Sequence, residues 1–80
     1  QEMIKKEMKL VITFHTTTAA MAMEAACKDA SADGRLIPVP RCISAGCGLA
    51  WCACLDSEKM LRTLMLEHEI TPQAIQSCMV

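Results

Sequence analysis

Six cysteines, Cys27, Cys42, Cys47, Cys52, Cys54 and Cys78, dominate the chemistry open to this chain of 80 residues. Cys47 stands apart because Gly46 and Gly48 flank it. Glycine frees the backbone to present a neighbouring sulfur. The thiolate is the nucleophilic form, and a nearby cation or helix N-terminus favours it. Arg41 and Ser44 lie in the same stretch and supply donors. Upstream, His15-Thr16-Thr17-Thr18 opens a predicted helix, whose unpaired N–H groups and positive dipole end favour an anion. Together these residues suit a reactive sulfur or a small bound anion. Cys42, five residues before Cys47, is placed to act as a resolving thiol. Each residue also has an ordinary role. Threonines cap helices, a lone arginine is a solvated cation, and a cysteine in a glycine-rich loop is commonly inert. Only convergence at one place makes a site of them.

Other chemistries find little support. Cys42, Cys47, Cys52 and Cys54 read C-x4-C-x4-C-x-C, which lacks the C-x-x-C knuckle of zinc sites and both common ferredoxin spacings. The expectation is no metal and no cofactor. Walker A, G-x-G-x-x-G, H-E-x-x-H and G-x-S-x-G motifs are absent. Cys27 and Cys78 read as small packing residues.

The elements that would position this loop follow from periodicity. Lys9–Phe14 is an apolar, β-branched run and predicts a strand. Ala19–Ala30 predicts a helix with Ala19, Met23, Ala26, Cys27 and Ala30 on one face. Ser31–Gly34 carries turn chemistry. Arg35–Val39 is a second strand, and Pro38 and Pro40 assign it to a sheet edge. Leu49–Leu55 is a third, apolar on both faces and therefore central. Asp56 or Ser57 caps a second helix with the stripe Leu61, Leu64, Met65 and His68, and Ala74–Val80 can form a last strand. The order β-α-β-β-α-β predicts an α+β, ferredoxin-like split sandwich: an antiparallel sheet of order 4-1-3-2 with both helices on one face. Residues 1–8 read as a flexible leader and 9–80 as one domain. In this topology the helix start at Thr16–Thr18 and the Arg41–Gly48 loop share one edge of the sheet.

Composition bounds the rest. At 8.7 kDa, with 52% hydrophobic and 21% charged residues, the chain is one small folded domain. Its net charge of −1, with one Trp, one Phe and no Tyr, gives nucleic acid neither a basic footprint nor a stacking surface. No apolar run reaches the ~18 residues that span a bilayer. The charged start has no apolar signal segment, and glycine and proline are too few for a stapled secreted domain, so reduced thiols and a cytoplasmic location are expected. Because neither side of the third strand is polar, the sheet face away from the helices is expected to pair with a second copy.

Phe14-His15-Thr16-Thr17-Thr18-Ala19-Ala20, Gly34-Arg35-Leu36-Ile37-Pro38-Val39-Pro40-Arg41 and Ile43-Ser44-Ala45-Gly46-Cys47-Gly48-Leu49-Ala50-Trp51 resemble the Se/S carrier protein-like family of small bacterial domains. The likeness runs from about Lys9 to the end of the chain, and its most specific part is the proline–arginine segment followed by Cys-Gly. It implies a cytoplasmic domain that holds sulfur or selenium on a cysteine, with partners that include a sulfurtransferase-like protein. The family's cysteine falls on Cys47 and its arginine on Arg41, while Cys42, Cys52 and Cys54 are additional to the pattern. The expected function is a chalcogen carrier, a relay rather than a turnover enzyme. A cysteine desulfurase or selenocysteine lyase would load Cys47, and an acceptor protein would unload it. Arg41, His15 and the Thr16–Thr18 helix start would hold the terminal anion. Two other readings compete: a dimeric module binding a small anion at the same edge without chemistry, and a cysteine-ligated metal protein.

Overall fold

The computed structural model describes residues 7–41, 43 and 48–79. Strand β1 (Met8–Thr13) leads into helix α1 (Thr17–Ala30), strands β2 (Arg35–Pro38) and β3 (Leu49–Ala53), helix α2 (Glu58–Glu67) and strand β4 (Ala74–Met79). The sheet order is β2-β3-β1-β4, the predicted 4-1-3-2 taken from the other side. Every neighbouring pair is antiparallel. The split α+β sandwich is therefore present, and β1 begins one residue before the expected domain boundary.

Strand alternation divides the side chains between two layers. Leu10, Ile12, Phe14, Trp51 and Ala53 face the helices and meet Ala20, Met23, Cys27, Leu61, Leu64 and Met65 in the main core. Helix α1 starts at Thr16, whose extended backbone (φ −136°, ψ 156°) lets its hydroxyl accept the Ala19 N–H at 3.1 Å. The helix stops at Ser31, which adopts the left-handed conformation (φ 54°) while its N–H turns back to the carbonyls of Cys27 and Lys28. Helix α2 buries Leu61, Leu64 and Met65, but His68 is exposed because it lies at the C-cap, past the last full turn.

Strand β3 is shorter than the sequence suggests. The Asp33 carboxylate accepts the Cys54 N–H at 2.8 Å, and residues Leu55–Ser57 wind into a 3-10 turn. Leu55 thereby leaves the sheet and is exposed. Asp33 sits there because Gly34, with φ +118°, threads beneath Trp51, whose indole N–H donates to the Asp33 carbonyl at 3.1 Å.

The face away from the helices is the larger departure. Val11, Thr13 and Ala50 are wholly buried (0% exposed) within one chain. Val11 and Ala50 belong to a second, smaller core with Ile43 and Cys78, against which Ile37 and Val39 pack. The chain after β2 returns Ile43 over this face, its N–H held by the Pro40 carbonyl at 3.0 Å. The apolar surface on which a face-to-face dimer was expected is thus covered at its centre.

Candidate functional site

One edge of the sheet gathers the ends that matter. Thr13 at the end of β1 pairs with Ala50 near the start of β3, and Pro38 at the end of β2 pairs with Leu49. Beyond that last pair, the Val39 N–H donates to the Gly48 carbonyl at 3.0 Å and closes the neck of the intervening loop. Helix α1 begins at the same edge, directly after β1.

Among the predicted site residues, His15, Thr16, Thr17, Thr18, Arg41 and Gly48 are described, and all are exposed. Thr16 is the threonine that caps; Thr17 and Thr18 form the first helical turn, which carries no acidic residue. An uncompensated positive helix end therefore opens to solvent at this edge. Gly48 has φ +82°, a conformation that suits glycine, and nothing lies within 4 Å of where a Cβ would be. Cys47, Cys42, Ser44 and Gly46 lie outside the described residues. The structure brings the helix start and the Gly48 end of the neck to one edge, as the topology predicts.

The remaining cysteines are differentiated by their surroundings. Cys27 is buried in the main core, and desolvation pushes its thiol up to about 11. Cys54 is exposed, and the Asp33 side chain, which accepts a hydrogen bond from it and carries negative charge, raises its thiol. Cys27, Cys52 and Cys54 are free thiols. Cys78 is disulfide-bonded, which corrects the expectation that every thiol is reduced. Its strand position turns the side chain into the buried second face. Among the described residues, no group of three or more His, Cys, Asp or Glu side chains is placed to hold a metal ion. Among those residues, too, no helix is long and apolar enough to cross a membrane.

Sequence reasoning missed Asp33. Besides the Cys54 N–H, its carboxylate accepts the Ser57 hydroxyl at 3.4 Å, and these bonds hold its acid form below the ordinary 3.8. Its place in an Asp-Gly pair read as turn chemistry and hid this second role. Asp33 and Cys54, with Lys9, Arg35 and Cys52, line a cavity of about 270 Å³. That cavity lies at the other edge, where Arg35 at the start of β2 pairs with Cys52.

The molecule is thus an α+β sandwich in which the Val39–Gly48 neck and the Thr16-capped start of α1 share one end of the sheet. Residues 9–77 match the family described as "Putative Se/S carrier protein-like". The match covers most of the chain, and the protein belongs to that family. No match was found among curated proteins or among solved structures.

Proposed function

We propose that this protein carries sulfur or selenium as a persulfide or selenopersulfide on Cys47. The observation that supports this reading best is the exposed, acid-free N-terminus of α1 at the same edge as the Val39–Gly48 neck, Gly48 being the residue after Cys47. Membership of a family named for sulfur or selenium carriage supports the cargo.

The loading step is an exchange between sulfurs. The Cys47 thiolate attacks the terminal sulfur of a persulfide on a cysteine desulfurase. The donor's S–S bond breaks, a new S–S bond forms to Cys47, and the donor cysteine leaves as a thiolate that takes up the proton. The sulfane atom moves without net oxidation. A selenocysteine lyase would deliver selenium by the same exchange. The α1 N–H groups, Arg41 and His15 stabilise the charged terminal atom. Transfer to an acceptor thiol, such as that of a sulfurtransferase-like protein, is the reverse exchange with a new partner.

The test is intact mass after the reduced protein is incubated with a desulfurase and cysteine. The wild type gains one sulfur, and Cys47→Ser does not. A gain that persists in Cys47→Ser refutes the assignment.

A further inference from the structure

The two outer strands of the sheet, β2 and β4, are built differently. Strand β2 is only four residues long, ends on Pro38 and is followed by Pro40 two positions later. Proline and shortness blunt an edge against pairing. Strand β4, Ala74–Met79, is six residues long and contains no charge, proline or glycine. Among the described residues no strand lies outside it. Its outward backbone groups form a template for another strand.

Beside that edge lies an apolar groove. Arg62, Met65 and Leu66 of α2, with Ile70, Pro72 and Ile75, line this open groove of about 220 Å³. Leu66 is 80% exposed and Met79 is 53% exposed. Ile75 packs toward the helix layer. Residues two and four further on share its face, so Ser77 and Met79 point to the same side.

We propose that β4 is a dimerisation edge: a second copy of this chain pairs with it antiparallel about a two-fold axis at Ser77 and seats its Met79 against Ile75 and Leu66. The strand is complementary to itself. It is neutral, so pairing sets no like charges opposite one another. Its protruding Met79 lies four residues from the groove-lining Ile75, and antiparallel pairing about Ser77 places each opposite the other reciprocally, as an isologous contact requires. Methionine is flexible enough to fill such a groove. Ser77, small and polar, meets its own copy at the axis. Because the strands run antiparallel, the two α1 edges lie at opposite ends of one continuous sheet, and neither is obstructed. The covered face contributes nothing to this contact. The pairing stands independently of what Cys47 carries.

Sedimentation velocity and native mass spectrometry over a concentration series test it, with circular dichroism as the folding control. The wild type reaches dimer mass. Ser77→Lys, which sets two ammonium groups together at the axis, runs as a monomer, and Met79→Lys weakens the dimer by roughly tenfold or more. Amide exchange in the wild type, which needs no variant, shows protection rising with concentration along Ala74–Met79. A wild type that stays monomeric, a dimer equally strong in both variants, or exchange in β4 that ignores concentration overturns the proposal.

Discussion

Asp33 shows how one side chain can govern both a thiol and a turn. Its carboxylate takes the Cys54 N–H and the Ser57 hydroxyl, and beside it the Cys54 thiol is raised. Asp33→Asn removes the charge, so the alkylation of Cys54 moves its midpoint to lower pH, as iodoacetamide rates against pH will show. The variant also loses about 1 kcal/mol of stability at neutral pH, a modest figure because solvent screens an exposed group. Asp33 has a folded pKa below its ordinary value. Its contribution is therefore fully present above that ordinary value and is lost as pH falls through the lowered one. Urea denaturation should show the gap between wild type and Asp33→Asn closing in acid. Gly34→Ala is harsher. An added Cβ would collide with the Trp51 indole and stand 2.6 Å from the Cys52 carbonyl, at a φ of +118°. The expected loss is about 3 kcal/mol, read from the same denaturation curves. The pattern of Ser31–Gly34 revealed a turn but assigned its glycine no packing role. The left-handed helix stop fell on Ser31, and Gly34 was needed for the passage under Trp51. That requirement is set by a strand distant in sequence, so no local signal announces it.

At the scale of elements, the sequence was most legible where apolar spacing repeats. Met23, Ala26 and Cys27 of the predicted α1 face, Leu61, Leu64 and Met65 of the α2 stripe, and all four strands lie where periodicity puts them, whereas Ala30 and His68, at the helix ends, are exposed and Ala19 is half-buried. It was least legible at ends, where a single long-range hydrogen bond decides, as Asp33 does for β3. The candidate site was legible as a topology, because the β-α-β-β order alone brings the start of α1 to the edge of the β2–β3 loop. Which threonine caps was not, since His15-Thr16-Thr17-Thr18 offers three equivalent hydroxyls and backbone geometry selects one. Four substitutions separate stability from chemistry at this helix end. Thr16→Ala removes the cap and costs about 1 kcal/mol by thermal or urea denaturation, whereas Thr17→Ala and Thr18→Ala change little. Thr17→Asp adds a carboxylate to the first turn. It stabilises the helix by about 0.5 kcal/mol, yet it slows the gain of sulfur because it repels the anion that the helix end is proposed to hold. Raised stability with slowed loading is the expected pair of readings.

For the whole molecule, the distinction that matters is between the apolar surface the chain covers itself and the surface it leaves exposed. The apolar residues on both sides of β3 correctly mark both faces of the sheet as apolar. It does not reveal that Ile43, in a loop between two prolines and two glycines, returns to close one of them. A domain this small has little core to spare, so this closure should contribute measurably to stability. Ile43 is 8% exposed, and Ile43→Ala is expected to cost about 2 kcal/mol, near the low end for an isoleucine because it packs in the smaller of the two cores. The variant also uncovers Val11 and Ala50, which a hydrophobic dye will report. Leu66→Ala is the matched control. Leu66 is 80% exposed, so its removal leaves folding within about 0.5 kcal/mol, but it thins the groove against which a second copy is proposed to dock. Denaturation and sedimentation on the two variants should therefore move in opposite columns, Ile43→Ala in stability and Leu66→Ala in association. If Ile43→Ala instead raised the dimer mass while leaving stability intact, the covered face would be the true meeting surface and β4 an ordinary edge.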